Sequence, residues 1–318
     1  MRGILAEVEA AAGRIRGHAR ETPLEPSPAL GEAAGARVFL KCENLQHTGS
    51  FKARGALNKV MSLSRAEIDA GVVTASTGNH GAAVGFALAA AGGRATVFVP
   101  EGASATKLAA IARRGCEIRR HGLDSGETEA FARAHAEATG ATWISPYNDP
   151  LVVGGQGTVG VELLRQMPRV DAVFVALGGG GLVGGIGAWL KAHSPGTRVV
   201  ACSPANSAVM ARSVEAGRIL ELESLPTLSD GTAGGVEQGS ITFPLVREVV
   251  DEHVLVGEDE IAVAMRDTME AHHMMVEGAA GVAVAGYRRQ AARWAGADVA
   301  IVLCGANVSV ATLRSVLL

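Results

Sequence analysis

Short apolar runs alternate with longer segments of helical period along the whole chain. "RVFLKCE" (37–43) reads as a strand, and "SFKARGALNKVMSL" (50–63) as a helix capped by Ser50. "GVVTAS", "RATVFVP", "CEIRRHG" and "ATWISP" follow as strands. Between them "NHGAAVGFALAAAG", "SATKLAAIARRG" and "SGETEAFARAHAEATG" carry helical spacing. A helix is predicted near "GGQGTVGVELLRQM", then strand "AVFVAL", a helix after a glycine run, and strand "TRVVACSP". "DVAIVLC" (298–304) is a late strand. Helices separating short apolar strands predict an α/β protein with largely parallel sheets covered on both faces. Faint breaks at "SRAEIDAG" (64–71) and "SPYNDP" (145–150) suggest a smaller α/β unit, residues 67–146, inserted between 1–66 and 147–318 of a larger one.

Composition narrows the classes. The chain has 318 residues, 48% of them hydrophobic, enough for a large core. Its net charge of −3 argues against nucleic acid or an anionic membrane as the main partner. Residues 172–190 carry no charge, but their seven glycines suit a buried strand, loop and helix, not a membrane span. Cys42, Cys116, Cys202 and Cys304 form no CxxC pair, so neither a metal framework nor disulfides are expected. Reduced thiols and an amphipathic N-terminus, "MRGILAEVEAAAGRIRGHAR", imply a cytoplasmic protein without a signal peptide.

Three clusters carry candidate chemistry. "AVFVALGGGGLVGGIGAWLK" is strand, glycines and helix, an arrangement whose backbone amides bind anions. Gly179, Gly181 and Gly184 fit a dinucleotide fingerprint, yet no acid occurs between Asp171 and Glu215 to hold a ribose. A phosphate without a dinucleotide is the better reading, with a tight packing turn as the alternative. "ASTGNHGAA" (75–83) lies at a strand's carboxyl end, where open α/β sheets bind ligands. There Asn79 could equally cap its helix, and His80 could be a satisfied buried histidine. "LCGANVS" (303–309) ends another strand, and Cys304 alone reads as a small buried hydrophobe. Lys52 near a helix start could be a surface lysine, although such positions favour acids. His272 and His273 are adjacent on a helix and do not face one site, so packing or surface roles are expected. The basic run "RRGCEIRRH" reads as a solvated strand edge.

Together "SFKARGA", "STGNHG", "GGGGL" and "CGAN", in this order, resemble fold-type II pyridoxal-phosphate enzymes, with the tryptophan synthase β-like fold. Within that group the chain is similar to the threonine/serine dehydratases and serine racemases. "GGVEQGSITF" (234–243) looks most like the hydroxyectoine-utilisation branch. The resemblance implies two α/β domains with pyridoxal 5'-phosphate between them. It implies that Lys52 holds the cofactor as a Schiff base, with Phe51 beside the ring and Asn79 on its 3'-oxygen. Gly178, Gly179, Gly180, Gly181 and Leu182 would bind the phosphate. Cys304 would face the pyridine nitrogen, and Glu277 would lie near the cofactor's rim. Ser76, Thr77, Asn79 and His80 would hold the substrate carboxylate.

The activity so implied is β-elimination on a 3-hydroxy amino acid, giving a 2-keto acid and ammonia. A serine or aspartate racemase, and a sulfhydrylase-type β-replacement enzyme, are the alternatives. "GGQGTVGVEL" and "DGTAGG" favour dehydratases over the last. Thr77 stands where racemases carry a serine, which weakens racemisation. Ser203 and Val209 stand where related enzymes place acids of a divalent-ion site, so no metal is expected. The chain stops soon after "CGAN", so no regulatory domain and no isoleucine feedback are expected. Family members are commonly dimers, and a homodimer acting on a small amino acid is the expectation.

Overall fold

A computed structural model describes residues 1–318, apart from the side chains of 105–107. Ten strands form two sheets. The larger takes β1 (Leu24–Pro26), β2 (Arg37–Lys41), β7 (Ala172–Ala176), β8 (Arg198–Pro204), β9 (Glu252–Val256) and β10 (Asp298–Val302), in the order β1-β2-β10-β7-β8-β9. Only β1 runs antiparallel to its neighbour. The smaller takes β3 (Val72–Ala75), β4 (Ala95–Val99), β5 (Glu117–Arg120) and β6 (Thr142–Trp143), all parallel, in the order β5-β4-β3-β6.

Burial follows the apolar pattern. Every residue of β7 and β10 is buried, as expected of central strands covered on both faces. Ile301 fixes the register between them, opposite Leu40 of β2 and Phe174 of β7. At the other extreme, β5 is an edge strand with mostly exposed residues, as "RRGCEIRRH" suggested. The core of the small sheet is not self-contained. It draws in Ile15, Ala56, Leu57 and Val60 from earlier in the chain, and Val152 from later.

Several features differ from the sequence reading. The helix after "HTGS" runs Lys52–Val60 with Phe51, not Ser50, at its N-cap. Ser50 is extended, and its hydroxyl accepts only a long bond, 3.4 Å, from the Lys52 amide. The helix around "GGQGTVGVELLRQM" starts earlier, at Pro150, because Asp149 accepts from the Leu151 and Val152 amides. Strand β9 and the helices Thr242–Val249 and Gly278–Gln290 were not expected, whereas the helix expected at His272 runs Glu258–His272, with His273 just past its end. His272 bonds the Ser27 hydroxyl at 2.8 Å, and His273 ends its helix at φ 55°, which fits their packing roles. Among the described residues, no helix is long and apolar enough to cross a membrane.

Candidate active site

Three of the four candidate motifs sit at carboxyl ends of strands, where the chain leaves a parallel sheet, and the fourth, with Lys52, opens a helix. The loop after β7 supplies Gly178–Gly181, the loop after β10 supplies Cys304, and the loop after β3 supplies Ser76–His80. Ser50 bridges Gly305, and the Phe51 amide donates to the Cys304 carbonyl at 3.0 Å. These two ties hold the start of the Lys52 helix against the end of β10. A cleft of about 2280 Å³ opens between the two sheets. Phe51, Lys52, Ser76, Thr77, Asn79, His80, the whole Gly178–Leu182 loop, Glu277 and Cys304 all line it.

Lys52 is partly buried, with its Nζ donating to the Pro146 carbonyl at 2.7 Å. The amine also lies 5.3 Å from the centre of the Phe51 ring. Burial pulls its pKa down to about 8, while Cys304, Glu277 and Glu129 pull weakly the other way. A lysine so placed offers a neutral amine near physiological pH.

The glycine loop is shaped by close contacts. Gly180 adopts φ 85°, a left-handed conformation that glycine takes without penalty, and caps the helix Gly181–His193. A Cβ on Gly179 would stand 2.5 Å from the Tyr147 ring, so only glycine lets the two touch. The Thr242 hydroxyl donates to the Gly179 carbonyl at 2.6 Å and fixes the loop's back. The loop lines the cleft at a helix N-terminus, the setting that attracts phosphate.

Opposite the loop lies a bonded group around Glu277. This carboxylate is buried and accepts from Asn79 Nδ2 on both oxygens, at 3.0 Å each. The Asn307 amide donates to it at 3.1 Å, and the Cys304 thiol lies 3.9 Å away. Burial raises its pKa to about 7, against the pull of the Asn79 bond. Burial also pushes the Cys304 thiol well up, so it stays neutral. Asn79 is the first residue of its helix and not its cap; Gly78 caps it, and the Asn79 side chain is turned to Glu277 and Asn307. His80 is buried with Nε2 3.2 Å from the Ile144 carbonyl, and its Nδ1 has no hydrogen-bond partner among the described residues. Ser76 and Thr77 are half-buried, and the Ser76 hydroxyl accepts from the Gly78 amide at 3.1 Å.

The sequence reading named these residues but missed others on the same cleft. The Pro146 carbonyl that meets Lys52 is backbone, which no side-chain pattern signals. Glu129 and Arg133 belong to a helix whose pattern reads as a solvated surface. Ser203 donates to the Leu177 carbonyl at 3.0 Å. Among the described residues, no group of three or more His, Cys, Asp or Glu side chains is arranged to hold a metal ion.

A partly buried lysine, a glycine cradle at a helix N-terminus and a neutral thiol on one cleft fit one known cofactor. The sequence profile described as pyridoxal-phosphate dependent enzyme matches residues 15–305. The chain belongs to that family. Its members here include the L-threonine ammonia-lyase of Geobacter sulfurreducens, 38% identical over 97% of this chain and 77% of that one. Solved structures agree. Threonine deaminase isoform 2 from Solanum lycopersicum, in its processed form, superposes with TM-score 0.92 and 32% identity over 98% of this chain and 91% of that one. Serine racemase from Dictyostelium discoideum gives TM-score 0.89 and 34% identity, over 96% and 99% of the two chains. The fold is therefore fold type II and the cofactor pyridoxal phosphate. The family's enzymes of the threonine/serine dehydratase type are the group that the four sequence motifs resemble.

Proposed function

We propose that this chain eliminates water from a 3-hydroxy amino acid such as threonine or serine, yielding a 2-keto acid and ammonia. The observation that carries this reading is Lys52, whose pKa of about 8 leaves a usable neutral amine in the cleft shared with the glycine loop and Cys304. Similarity to a threonine ammonia-lyase and a threonine deaminase supports the same reaction.

Bound pyridoxal phosphate supplies an electron sink for the α-carbon. Lys52 is proposed as its covalent anchor, with Phe51 beside the ring and Asn79 reaching its 3'-oxygen. The amides of Gly178, Gly179, Gly180, Gly181 and Leu182 are assigned the phosphate. Cys304 is assigned the ring nitrogen as a neutral partner, and Glu277 orients Asn79. The Ser76–His80 loop, with Thr77, is assigned the substrate carboxylate. Lys52, neutral once released, takes the α-proton as general base. The β-hydroxyl leaves with a proton as water. The enamine that results tautomerises to an imine, and water then replaces its nitrogen, freeing ammonia and the keto acid.

The "GGVEQGSITF" stretch extends the proposal to a hydroxy amino acid derived from hydroxyectoine. Racemisation is the second reading, favoured by the likeness to serine racemase. It needs a proton carrier on the substrate's other face, and the Thr77 hydroxyl is the candidate on the cleft. On the family resemblance the protein is taken to work as a cytoplasmic homodimer, with residues 67–146 as the smaller domain and 1–66 with 147–318 as the larger, cofactor-binding one.

The test is a keto-acid and ammonia assay on cofactor-loaded protein. The panel is serine, threonine, 3-hydroxyaspartate, phenylserine and hydroxylated diaminobutyrate, with chiral analysis of recovered substrate. Release of keto acid and ammonia in equal amounts is expected. Loaded protein that releases none from any of them would defeat the reading.

A further inference from the structure

One wall of the cleft holds more negative charge than it can pair internally. The helix Ser125–Thr139 presents Glu129 and Arg133 one turn apart, with 3.6 Å between their charged atoms. Arg133 also bonds Glu237 directly. The other Glu237 oxygen accepts from Asn148 Nδ2 at 2.7 Å, and the Glu237 amide donates to the Tyr147 hydroxyl at 2.9 Å. Two carboxylates thus share one guanidinium, and Glu237 takes the better share. The direct bond from Arg133 keeps the Glu237 carboxyl below the usual range.

Glu129 is left under-satisfied. Its Oε1, the oxygen 3.6 Å from Arg133, is buried and has no hydrogen-bond partner among the described residues. Burial, then the charge of Glu237, raise its pKa, and Arg133 and Lys52 only partly offset them. Glu129 and Lys52 line the same cleft, and the charge of each acts on the other.

A second acceptor on the cleft is also short of a donor. His80 is only 3% exposed. Burial and the nearby Lys52 charge hold its pKa near 3, so the ring is neutral. A neutral ring with Nε2 on the Ile144 carbonyl carries its proton there, a tautomer assigned from that partner. That leaves Nδ1 as an unpartnered acceptor.

Beyond the hydroxyl that leaves, serine and threonine carry no donor and no positive charge for Glu129. A buried acceptor with no donor weakens a site built for them. A side chain ending in an ammonium group brings three donors and the missing positive charge. We propose that this wall selects a 3-hydroxy amino acid whose side chain ends in a protonated amine, with Glu129 receiving that amine; the proposal rests on the elimination reading above. A distal carboxylate is the competing fit, since Arg133 Nε also lacks a partner. It would, however, meet Glu129 and Glu237 as like charges.

The test uses cofactor-loaded protein and amino acids that cannot eliminate because they carry no hydroxyl. L-2,4-diaminobutanoate, L-2-aminobutanoate and L-aspartate are compared by equilibrium binding, in the parent and in Glu129→Gln. The diamino acid is expected to bind about ten-fold or more tighter than aminobutanoate, the scale of one charged hydrogen bond. Glu129→Gln is expected to collapse that ratio towards one. Equal binding in the parent, an unchanged ratio in the variant, or aspartate binding tightest would each overturn the proposal. These probes have no leaving group. A preserved ratio in protein that eliminates nothing would therefore support the wall's preference and sink only the reaction.

Discussion

Lys52 and Arg54 stand two residues apart at the start of one helix, and their charges meet opposite surroundings. Arg54 is 1% exposed and wholly enclosed by partners. It bonds both oxygens of Glu43 at 2.7 and 2.8 Å and both of Glu162 at 2.6 and 2.8 Å. Lys41 completes the group, giving 2.6 Å to Glu162. Burial opposes the Arg54 charge, but the two carboxylates outweigh it and raise its pKa. Lys52 receives one neutral carbonyl, and burial wins. The first arrangement locks a cation in place. The second leaves an amine ready to lose its proton. A buried charge that is fully paired serves the fold, and one left short of partners is available for chemistry.

The largest effect should come from exchanging these two residues' fates. Lys52→Ala is expected to abolish keto-acid release, a loss on the order of 10³-fold or more from the base alone. It should also remove the visible colour of covalently held cofactor. Its folding should stay within about 1 kcal/mol of the apo parent, since no charge pairing is lost. Arg54→Ala should do the reverse, costing about 3–5 kcal/mol because Glu43 and Glu162 would remain buried without their main partner. Denaturant titration of both variants checks this. If Lys52→Ala unfolded as readily as Arg54→Ala, the contrast between the two charges would be wrong.

This contrast marks the limit of what the sequence told. The alternation of strand and helix was legible because β7 and β10 are continuous apolar runs with glycine turns behind them. The Gly178–Gly181 loop was legible because four glycines in a row have few other uses. Lys52 was legible only with "GGGGL" and "CGAN" beside it. Strand β9, "EHVLV", was missed because it opens on two polar residues, Glu252 and His253, and its burial is uneven. Arg54 and Glu162 lie 108 residues apart, and Arg133, which joins Glu129 to Glu237, lies 104 from Glu237. Charge pairs at such separations leave no periodic trace, since only folding brings them together.

A smaller effect should separate a neutral partner from a charged one at the far end of the site. Cys304 lies 3.9 Å from Glu277, whose pKa is already raised to about 7. Cys304→Asp would put two carboxyl groups in contact, and one of them would hold a proton through neutral pH. Elimination should fall about ten-fold or more, which is roughly 1.4 kcal/mol of lost stabilisation. Cys304→Ser keeps a neutral hydroxyl beside Glu277 and should stay within a few-fold of the parent. Steady-state rates at saturating cofactor check both. Equal losses in the two variants would mean that size, not charge, governs this position.

The smallest effect is graded with pH and tests the Lys52 surroundings without any substitution. On the role proposed for Lys52, apo protein joins pyridoxal phosphate through the neutral form of this amine. Burial lowers that pKa from 10.5 to about 8. Below its pKa the neutral fraction of an amine grows about ten-fold per pH unit, and above it the fraction levels off. The rate of cofactor uptake should therefore rise with pH and flatten near 8. An ordinary lysine would keep the rate climbing about 2.5 units further. The sign follows from the cause: desolvation disfavours the charged form, so the proton is lost earlier. Arg54 sets the comparison, because its pairing keeps it charged throughout and it adds no inflection in this range. Stopped-flow uptake measured across the alkaline range decides the matter. A rate still rising steeply well above pH 8 would show that the Lys52 amine is not set apart from a solvated one.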